Sequence, residues 1–236
     1  KNNNNKRKLK EDYKSLSNID IVLCANEKIK NMLEYIYNNN KTIEIVRPYY
    51  SPYISKQNIK NKEKNYILTF FDSKNSIYKC TSAYCEYINN SIKNNKEAYK
   101  LIIAGYNKYL EDNINKLKIK DYVELVDYNS NIEDIISSAY TILIHNTEDP
   151  FYIELISAWH NKIVPIIDSK SPSAEITTDN KNALIYNSQN PISLCNKLIT
   201  LIEDKELYDS LSSSIENIPS IEYSANQLIE IITKQL

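Results

Sequence analysis

A short acidic segment between two apolar runs carries the residues best suited to chemistry. In TILIHNTEDPFYIELISAWHNKIVPII, the acids Glu148 and Asp149 follow one apolar run (141–144), and a stretch of helical periodicity leads to a second (163–167). This order is typical of a strand, a loop, a helix and a parallel strand. Such units bind ligands outside the carboxyl ends of their strands, where helix N-termini converge. The two acids therefore either cap the helix or contact a ligand, and both alternatives stay open.

The other candidate contacts follow strands predicted at the same edge of the sheet. The predicted cleft is bordered by residues that come after strand carboxyl ends: Lys74, Gly105, the loop after Leu125, the elbow from Glu148 to Phe151, and the turn from Ser171 to Glu175. A helix starting near Phe151 would aim its free N–H groups at an anion such as a diphosphate. Lys74 either binds a phosphate or is a solvated loop lysine. Of the two histidines, His145 is a candidate substrate contact, and His160, at a predicted helix end, is expected to be structural.

Several common kinds of site lack the residues they need. The chain has a single glycine, Gly105, which excludes a glycine-rich phosphate loop. The four cysteines have neither metal-ligand spacing nor the pattern of a small disulfide framework, which favours buried, reduced thiols. Spacing supports neither a Ser/His/Asp triad nor an Asp-rich cluster. The sequence therefore predicts no metal site.

Composition places the chain among soluble globular proteins. Of its 236 residues, 42% are hydrophobic and 25% are charged, and the net charge is −1. Beyond the first ten residues the basic side chains are spread along the chain, so we expect no nucleic-acid partner. No apolar run approaches the length of a membrane span, and no signal-peptide pattern is present. These features predict a soluble, cytoplasmic chain that reaches a membrane only through a partner, a surface helix or an upstream segment.

Strands and helices alternate along most of the chain. Apolar runs suited to buried strands occur at 19–24, 42–46, 66–71, 101–105, 122–125, 141–144, 163–167 and 183–186. Helical periodicity is found at 27–37, 78–92, 109–117, 132–138, 151–160 and 192–202, with two closing helices near 205–217 and 223–236. A capping box at Ser130 and Glu133 and the pair Asn190-Pro191 mark two helix starts. The alternation predicts an α/β fold with a doubly wound parallel sheet.

A change in composition divides the chain. Pro48, Pro52 and a polar, Lys/Asn-rich stretch separate the first two predicted strands from the last six. We expect a disordered basic lead-in (1–11), the tail of a preceding α/β domain with its crossover (12–54), a linker (55–65), a main domain (66–222) and a closing helix (223–236). The main domain should hold a six-stranded parallel sheet between 66 and 186. The strand at 42–46 is expected to join or approach that domain.

The order of motifs resembles the nucleotide-sugar domain of the retaining, GT-B-fold glycosyltransferases of family 4. The resemblance covers nearly the whole chain after the lead-in and is carried by IDIVLCAN, IEIVRPYY, YILTFFDSKN, LIIAGYN, IKDYVELVDYNSNIEDIISSAYTILI, the acidic elbow with its helix, and DSKSPSAEIT. Within the family, the chain is most similar to the GDP-mannose-dependent α-1,2-mannosyltransferase that extends the dolichol-linked oligosaccharide. The resemblance implies the Rossmann-like C-terminal domain of a GT-B protein, with the closing helix crossing back to a remnant of the first domain.

The resemblance also implies a reaction and a site. Mannose would pass from GDP-mannose to a dolichol-diphosphate-linked oligosaccharide with retention of configuration, and no metal or other cofactor is required. An upstream domain would hold the acceptor, and the intact protein would work at the cytosolic side of the endoplasmic reticulum membrane. The motif assigns catalysis to Asp149, or to Glu148 if the loop is one residue longer. Nucleotide-sugar contacts are implied at Lys74, Gly105, Leu125, Phe151, Tyr152, Ser157, Ser171 and Glu175.

The chain departs from the family pattern at several of these positions. Ser157 replaces the second acid, which hydrogen-bonds the ribose, and this weakens anchoring by about 1–3 kcal/mol. Tyr152 replaces a glycine and is expected to crowd the donor. Lys170-Ser171 replaces a Gly-Gly pair, and without the usual arginine Lys74 remains as the cation for the diphosphate. We expect donor binding in the high micromolar to millimolar range, with a non-catalytic remnant or an unrelated doubly wound nucleotide-binding protein as alternatives.

Overall fold

The chain forms two compact units in a computed structural model that describes residues 19–37, 41–49, 65–128, 131–149 and 151–234. One unit comprises Lys1–Pro48 with Ile221–Leu236, and the other comprises Tyr49–Ser220. The expected lead-in, most of the expected linker and Ser130 of the expected capping box lie outside the described residues.

The smaller unit contains a two-stranded parallel sheet. Strand β1 (Ile21–Cys24) pairs with β2 (Thr42–Ile45), and helix α1 (Glu27–Tyr37) connects them. Three buried side chains form its small core: Cys24, Tyr37 and Ile43. The strand at 42–46 is expected from the sequence to join or approach the larger domain. Among the described strands β2 pairs with β1, so it is not a strand of the six-stranded sheet.

The closing helix belongs to the smaller unit. This helix spans Ile221–Thr233. The hydroxyl of Ser224 donates a hydrogen bond of 2.7 Å to the backbone carbonyl of Arg47. The Arg47 guanidinium in turn lies 3.8 Å from the carboxylate of Glu27. Polar contacts therefore link the last helix to the crossover segment and to the start of α1.

The larger unit is built on a six-stranded sheet whose neighbouring strands are all parallel. Its strands are β3 (Tyr66–Phe70), β4 (Lys100–Ala104), β5 (Val123–Val126), β6 (Ala139–Ile144), β7 (Val164–Asp168) and β8 (Leu184–Tyr186). Their order across the sheet is β5-β4-β3-β6-β7-β8. This is the doubly wound α/β fold that the alternation predicted.

Helices cover both faces of this sheet, which explains why its strands are nearly continuous apolar runs. The helices of the larger unit are α2 (Lys74–Lys93), α3 (Lys108–Leu117), α4 (Ile132–Ser137), α5 (Ile153–His160), α6 (Pro191–Glu203) and α7 (Lys205–Ser213). The closing helix of the smaller unit, Ile221–Thr233, is α8. Short 3-10 turns occur at Lys120–Tyr122 and Pro172–Ile176. One core joins the sheet to α2, α3, α6 and α7, and the other joins it to α4 and α5.

Two helix starts differ from the sequence prediction for local reasons. Helix α2 begins about one turn before the predicted position 78, because the Ser73 side chain accepts a hydrogen bond from the Ser76 N–H and caps the helix. Helix α5 begins at Ile153, two residues later than predicted, because Tyr152 has a left-handed backbone with φ of 55°.

The order of the strands determines where a ligand crevice opens. From β3 the chain proceeds outward through β4 and β5, and from β6 it proceeds outward in the other direction through β7 and β8. The winding therefore reverses between the adjacent strands β3 and β6. In open α/β sheets the crevice beyond the carboxyl ends at such a reversal is the usual ligand position.

Candidate active site

A cavity of about 200 Å³ lies at the reversal point, between the loops that follow β3 and β6. We call it the acidic cavity, since its described lining includes three carboxylates: Phe70, Phe71, Asp72, Tyr128, Asn146, Asp149, Ile153 and Glu154. No lysine, arginine or histidine is among these lining residues. The parallel register of β3 and β6 brings Asp72 to the acidic elbow, although the two segments are far apart in sequence.

Asp149 caps helix α5 with both of its carboxylate oxygens. Oδ1 accepts a hydrogen bond of 2.9 Å from the N–H of Phe151, and Oδ2 accepts one of 2.9 Å from the N–H of Ile153. Of the two roles that the sequence left open, the structure shows capping. The expected free N–H groups at this helix start are therefore already bonded within the chain at these two residues.

The second acid of the elbow has a different environment. Glu148 is exposed, and its backbone N–H donates to the Asn146 side chain at 2.9 Å. Asp149, by contrast, is 9% exposed, and burial raises the pKa of its carboxyl although backbone hydrogen bonds partly oppose this. Glu148 therefore faces solvent, whereas Asp149 is part of the cavity wall.

Glu154 is a cavity residue that sequence reasoning missed. It lies in the first turn of α5, and burial, followed by the negative charges of Asp149 and Asp72, raises the pKa of its carboxyl well above the usual value. A signal was available in the sequence, because Glu154 is the single acidic residue in the otherwise apolar stretch FYIELISAW. When this carboxyl is ionised, its negative charge opposes the binding of a phosphate.

His145 is held by hydrogen bonds on both ring nitrogens. Its Nε2 lies 2.8 Å from the Thr69 hydroxyl, which also donates to the Leu143 carbonyl at 3.0 Å. Its Nδ1 faces the Ser76 hydroxyl and lies 3.3 Å from Oδ1 of Asp72. His145 is 3% exposed, and its hydrogen bonds connect the end of β6 to β3 and to α2. Because both ring nitrogens are engaged within the protein, neither is offered to a substrate.

Tyr128 closes one side of the cleft above Gly105. Its hydroxyl donates a hydrogen bond of 2.7 Å to the Phe71 carbonyl and so connects the loop after β5 to the loop after β3. Gly105 has φ of 104°, and a Cβ built there would lie 2.7 Å from the Tyr128 ring. A glycine is therefore required by both the backbone angle and the ring that covers it. Leu125 is half-buried in β5 and packs into the core on the α2 side.

Lys74 is the first residue of α2 and is exposed. Its ammonium lies 5.4 Å from the centre of the Tyr109 ring, a cation–π distance. The lysine is outside the described lining of the acidic cavity. The structure thus places this cation beside the cleft, where it contacts the start of α3.

Tyr152 points into the core and not into the cleft. Its side chain is fully buried, and its ring centre lies 5.6 Å from that of Tyr49. The expectation that this ring crowds a bound donor is wrong, because the left-handed backbone turns the side chain inward. Phe151, which precedes it, is 46% exposed.

Ser157 and the turn after β7 are also turned toward the protein. The Ser157 hydroxyl is buried and donates to the Ile153 carbonyl of its own helix at 2.6 Å. Ser171 is buried and caps the 3-10 turn by accepting from the Ser173 N–H at 3.3 Å. Glu175 is exposed in that turn. Of all the site residues that the resemblance implies, only Asp149, assigned to catalysis, is among the described lining residues of the acidic cavity.

The residues that the structure describes bear on two further features, metal ligands and membrane-spanning helices. Among those residues, no group of three or more His, Cys, Asp or Glu side chains is arranged to hold a metal ion. No described helix has both the length and the apolar character needed to cross a membrane.

The family of the protein follows from its sequence profile. The profile described as glycosyl transferases group 1 matches residues 54–217, and the chain belongs to this family. No curated protein sequence matches the chain significantly.

Solved structures share the fold at low sequence identity. A glycosyltransferase from Rickettsia africae ESF-5 superposes with a TM-score of 0.74 at 14% identity, covering 94% of this chain and 66% of that one. Sucrose-phosphate synthase from Thermosynechococcus elongatus gives 0.75 at 13%, covering 98% and 62%. Anabaena HepE, solved in complex with UDP and glucose, gives 0.71 at 12%, covering 91% and 63%. These GT-B glycosyltransferase neighbours are similar in fold, and the chain spans less than two thirds of their length.

Proposed function

We propose that this chain is the donor-side half of a GT-B glycosyltransferase whose donor site is attenuated, so that the chain by itself does not transfer sugar. The observation that carries the proposal is the convergence of Asp72, Asp149 and Glu154 on the crevice where a nucleotide diphosphate would lie. In this proposal residues 66–222 form the nucleotide-sugar domain. Residues 12–54 and 223–236 are then the remnant of the acceptor domain and its returning helix.

The charge of the cavity opposes a diphosphate. A nucleotide sugar brings two negative charges, and like charges at a few ångströms repel strongly where water is partly excluded. The described lining supplies no cation to offset this repulsion, and Lys74 lies beside it. The N–H groups of Phe151 and Ile153, which could have bound a phosphate, are bonded to Asp149.

The size of the cavity supports the same conclusion. Its volume of about 200 Å³ is below the range of roughly 300–1,000 Å³ that is typical of small-molecule sites. Tyr128 narrows it further by bridging to Phe71 over Gly105. A nucleotide sugar would have to displace this ring and break its hydrogen bond.

Calorimetric titration of the chain with UDP-glucose and with GDP-mannose tests the proposal. We expect dissociation constants of about 0.1–1 mM or weaker for both. At a pH above the raised pKa of Glu154, where this carboxyl is ionised, Glu154→Gln should tighten binding by roughly tenfold, which corresponds to about 1.4 kcal/mol, because it removes one repelling charge. Glu148→Gln is the matched control and should leave binding unchanged, since Glu148 is exposed.

The opposite result would restore a competent donor site. Binding near one micromolar that is lost in the double variant Glu148→Ala/Asp149→Asn would show that the elbow acids hold the donor. Asparagine at 149 keeps one of the two acceptor oxygens, and circular dichroism of the variant checks that the helix start remains folded, so that loss of binding can be assigned to the acids.

A second candidate function, mannose transfer from GDP-mannose to a dolichol-linked oligosaccharide, is favoured by the order of the sequence motifs. It requires an acceptor domain and would place the intact protein at the cytosolic side of the endoplasmic reticulum membrane. The same titrations discriminate it. At least a tenfold preference for GDP-mannose over UDP-glucose supports this function, whereas equal binding or a preference for the UDP sugar contradicts it.

A further inference from the structure

A second and larger cavity lies at the same edge of the sheet, between helix α2 and the loop that joins β8 to α6. Its volume is about 340 Å³, which is within the range of small-molecule sites. We call it the α2–α6 cavity, and its wall includes Lys79, Ala83, Tyr186, Ser188, Gln189 and Leu194. None of these residues was singled out by the sequence motifs, and none lines the acidic cavity.

Tyr186 contributes a hydroxyl that the fold does not satisfy. The residue is 6% exposed, and within the described part of the chain its hydroxyl has no hydrogen-bond partner. Burial, followed by the nearby charge of Asp168, raises the pKa of this phenol, so it is a neutral donor. A hydroxyl that faces the cavity without a partner among the described residues can donate a hydrogen bond to a ligand acceptor there.

Lys79 provides the charge of this cavity. It is the one ionic side chain among the lining residues that the structure describes, and it has no carboxylate partner among the described residues. The N-terminus of α6 adds a positive potential on the same side, although Asn190 already caps it by accepting from the Ile192 N–H. Asp168 is close to Tyr186, but its Oδ1 accepts from the Lys170 N–H and it is outside the described lining. One cation matches a monoanion better than a phosphate dianion.

The remaining wall is suited to an apolar body. Ala83 and Leu194 are each 2% exposed and face the cavity together with the Tyr186 ring. The volume of about 340 Å³ equals about eleven water-sized volumes of 30 Å³ each. We propose that the α2–α6 cavity binds a small organic monocarboxylate of about eleven heavy atoms or fewer. Its carboxylate would contact Lys79 and the Tyr186 hydroxyl, and its aromatic or branched body would lie against Leu194.

Titration of the full chain with benzoate, benzyl alcohol and benzylamine tests this proposal. Benzoate is expected to bind with a dissociation constant of about 0.1–1 mM, an affinity that a ligand of its size can reach. Benzyl alcohol and benzylamine, the neutral and cationic analogues, should bind at least about tenfold more weakly. Equal binding of benzylamine, or no benzoate binding up to 10-fold above this range, would overturn the proposal.

Two substitutions localise the binding. Tyr186→Phe should weaken benzoate binding about fivefold while leaving the ligand-free protein about as stable, because the hydroxyl that it removes has no partner among the described residues. Lys79→Gln should weaken it by about three- to tenfold. Lys93→Gln, at the other end of α2, is the matched control and should have no effect. Unchanged benzoate affinity in Tyr186→Phe and Lys79→Gln would show that the anion binds elsewhere and would reject this cavity as the site.

Discussion

Two cavities at one edge of the same sheet are lined by different charged side chains. The acidic cavity lies at the reversal point of the strand order, the usual ligand position in open α/β sheets, yet three carboxylates and no basic side chain are in its described lining. The α2–α6 cavity lies beside it, beyond β8, and combines Lys79 with an unpaired tyrosine hydroxyl. Topology therefore determines where a crevice opens, whereas a few side chains in loops and in the first turns of helices determine what the crevice can bind.

The two cavities also differ in how far their polar groups are used by the fold. In the acidic cavity, Asp149 is bonded to the start of α5, and nearby Asp72 faces His145. In the α2–α6 cavity, Tyr186 and Lys79 have no such partners among the described residues. Polar groups with internal partners mainly stabilise structure, and unpaired ones are better placed to meet a ligand.

Replacement of Tyr152 by glycine should have the largest effect on the stability of the fold that holds the acidic cavity. Glycine would relieve the left-handed backbone by roughly 1 kcal/mol, but loss of a fully buried ring costs roughly 3–5 kcal/mol. Urea unfolding should therefore show a net loss of roughly 2–4 kcal/mol. The control Phe151→Gly removes a half-exposed ring and should cost less than about 1 kcal/mol. A neutral or stabilising Tyr152→Gly would contradict the core role assigned to this ring.

Removal of the α5 cap should have an intermediate effect. Asp149→Ala leaves the N–H groups of Phe151 and Ile153 without their acceptor and should lower the free energy of unfolding by about 0.5–2 kcal/mol. Glu148→Ala changes the neighbouring exposed acid and should stay within about 0.5 kcal/mol of the original chain. Equal losses in the two variants, measured by denaturant unfolding, would mean that the elbow acids do not differ as the structure indicates.

Glu154→Gln should have the smallest effect and should alter how stability depends on pH. The raised pKa of Glu154 means that the folded chain binds this proton more tightly than the unfolded chain does. The stability that this proton provides is complete below the ordinary pKa of glutamate and is lost as the pH rises through the raised pKa.

Melting temperatures at a series of pH values test this prediction. The original chain and Glu154→Gln should melt together at about pH 4, and the variant should melt higher at about pH 8, since glutamine cannot ionise. Part of the slope should persist because burial also raises the pKa of Asp149. The control Glu148→Gln should keep the pH dependence of the original chain. If the melting temperatures of Glu154→Gln and of the original chain changed in parallel with pH, the raised pKa of Glu154 would be refuted.

Local sequence was sufficient for most of the fold. Apolar runs and helical periodicity predicted the six parallel strands between 66 and 186 and the helices between them. This was possible because burial of one or both faces of an element produces a pattern of apolar residues that a short stretch of sequence already shows. The start of α2 was predicted about one turn late, because its first turn is polar and its cap at Ser73 lacks an apolar neighbour to reveal it.

The same local signals could not decide the site. Sequence by itself determined that this chain is an α/β protein with acids at the elbow after β6. Tertiary structure decided that Asp149 caps α5, that Tyr152 packs on Tyr49, and that Glu154 and Asp72 line the same cavity. These outcomes depend on the left-handed backbone of Tyr152 and on the register of β3 against β6. Local sequence does not show them, because the register brings together segments that are far apart in the chain.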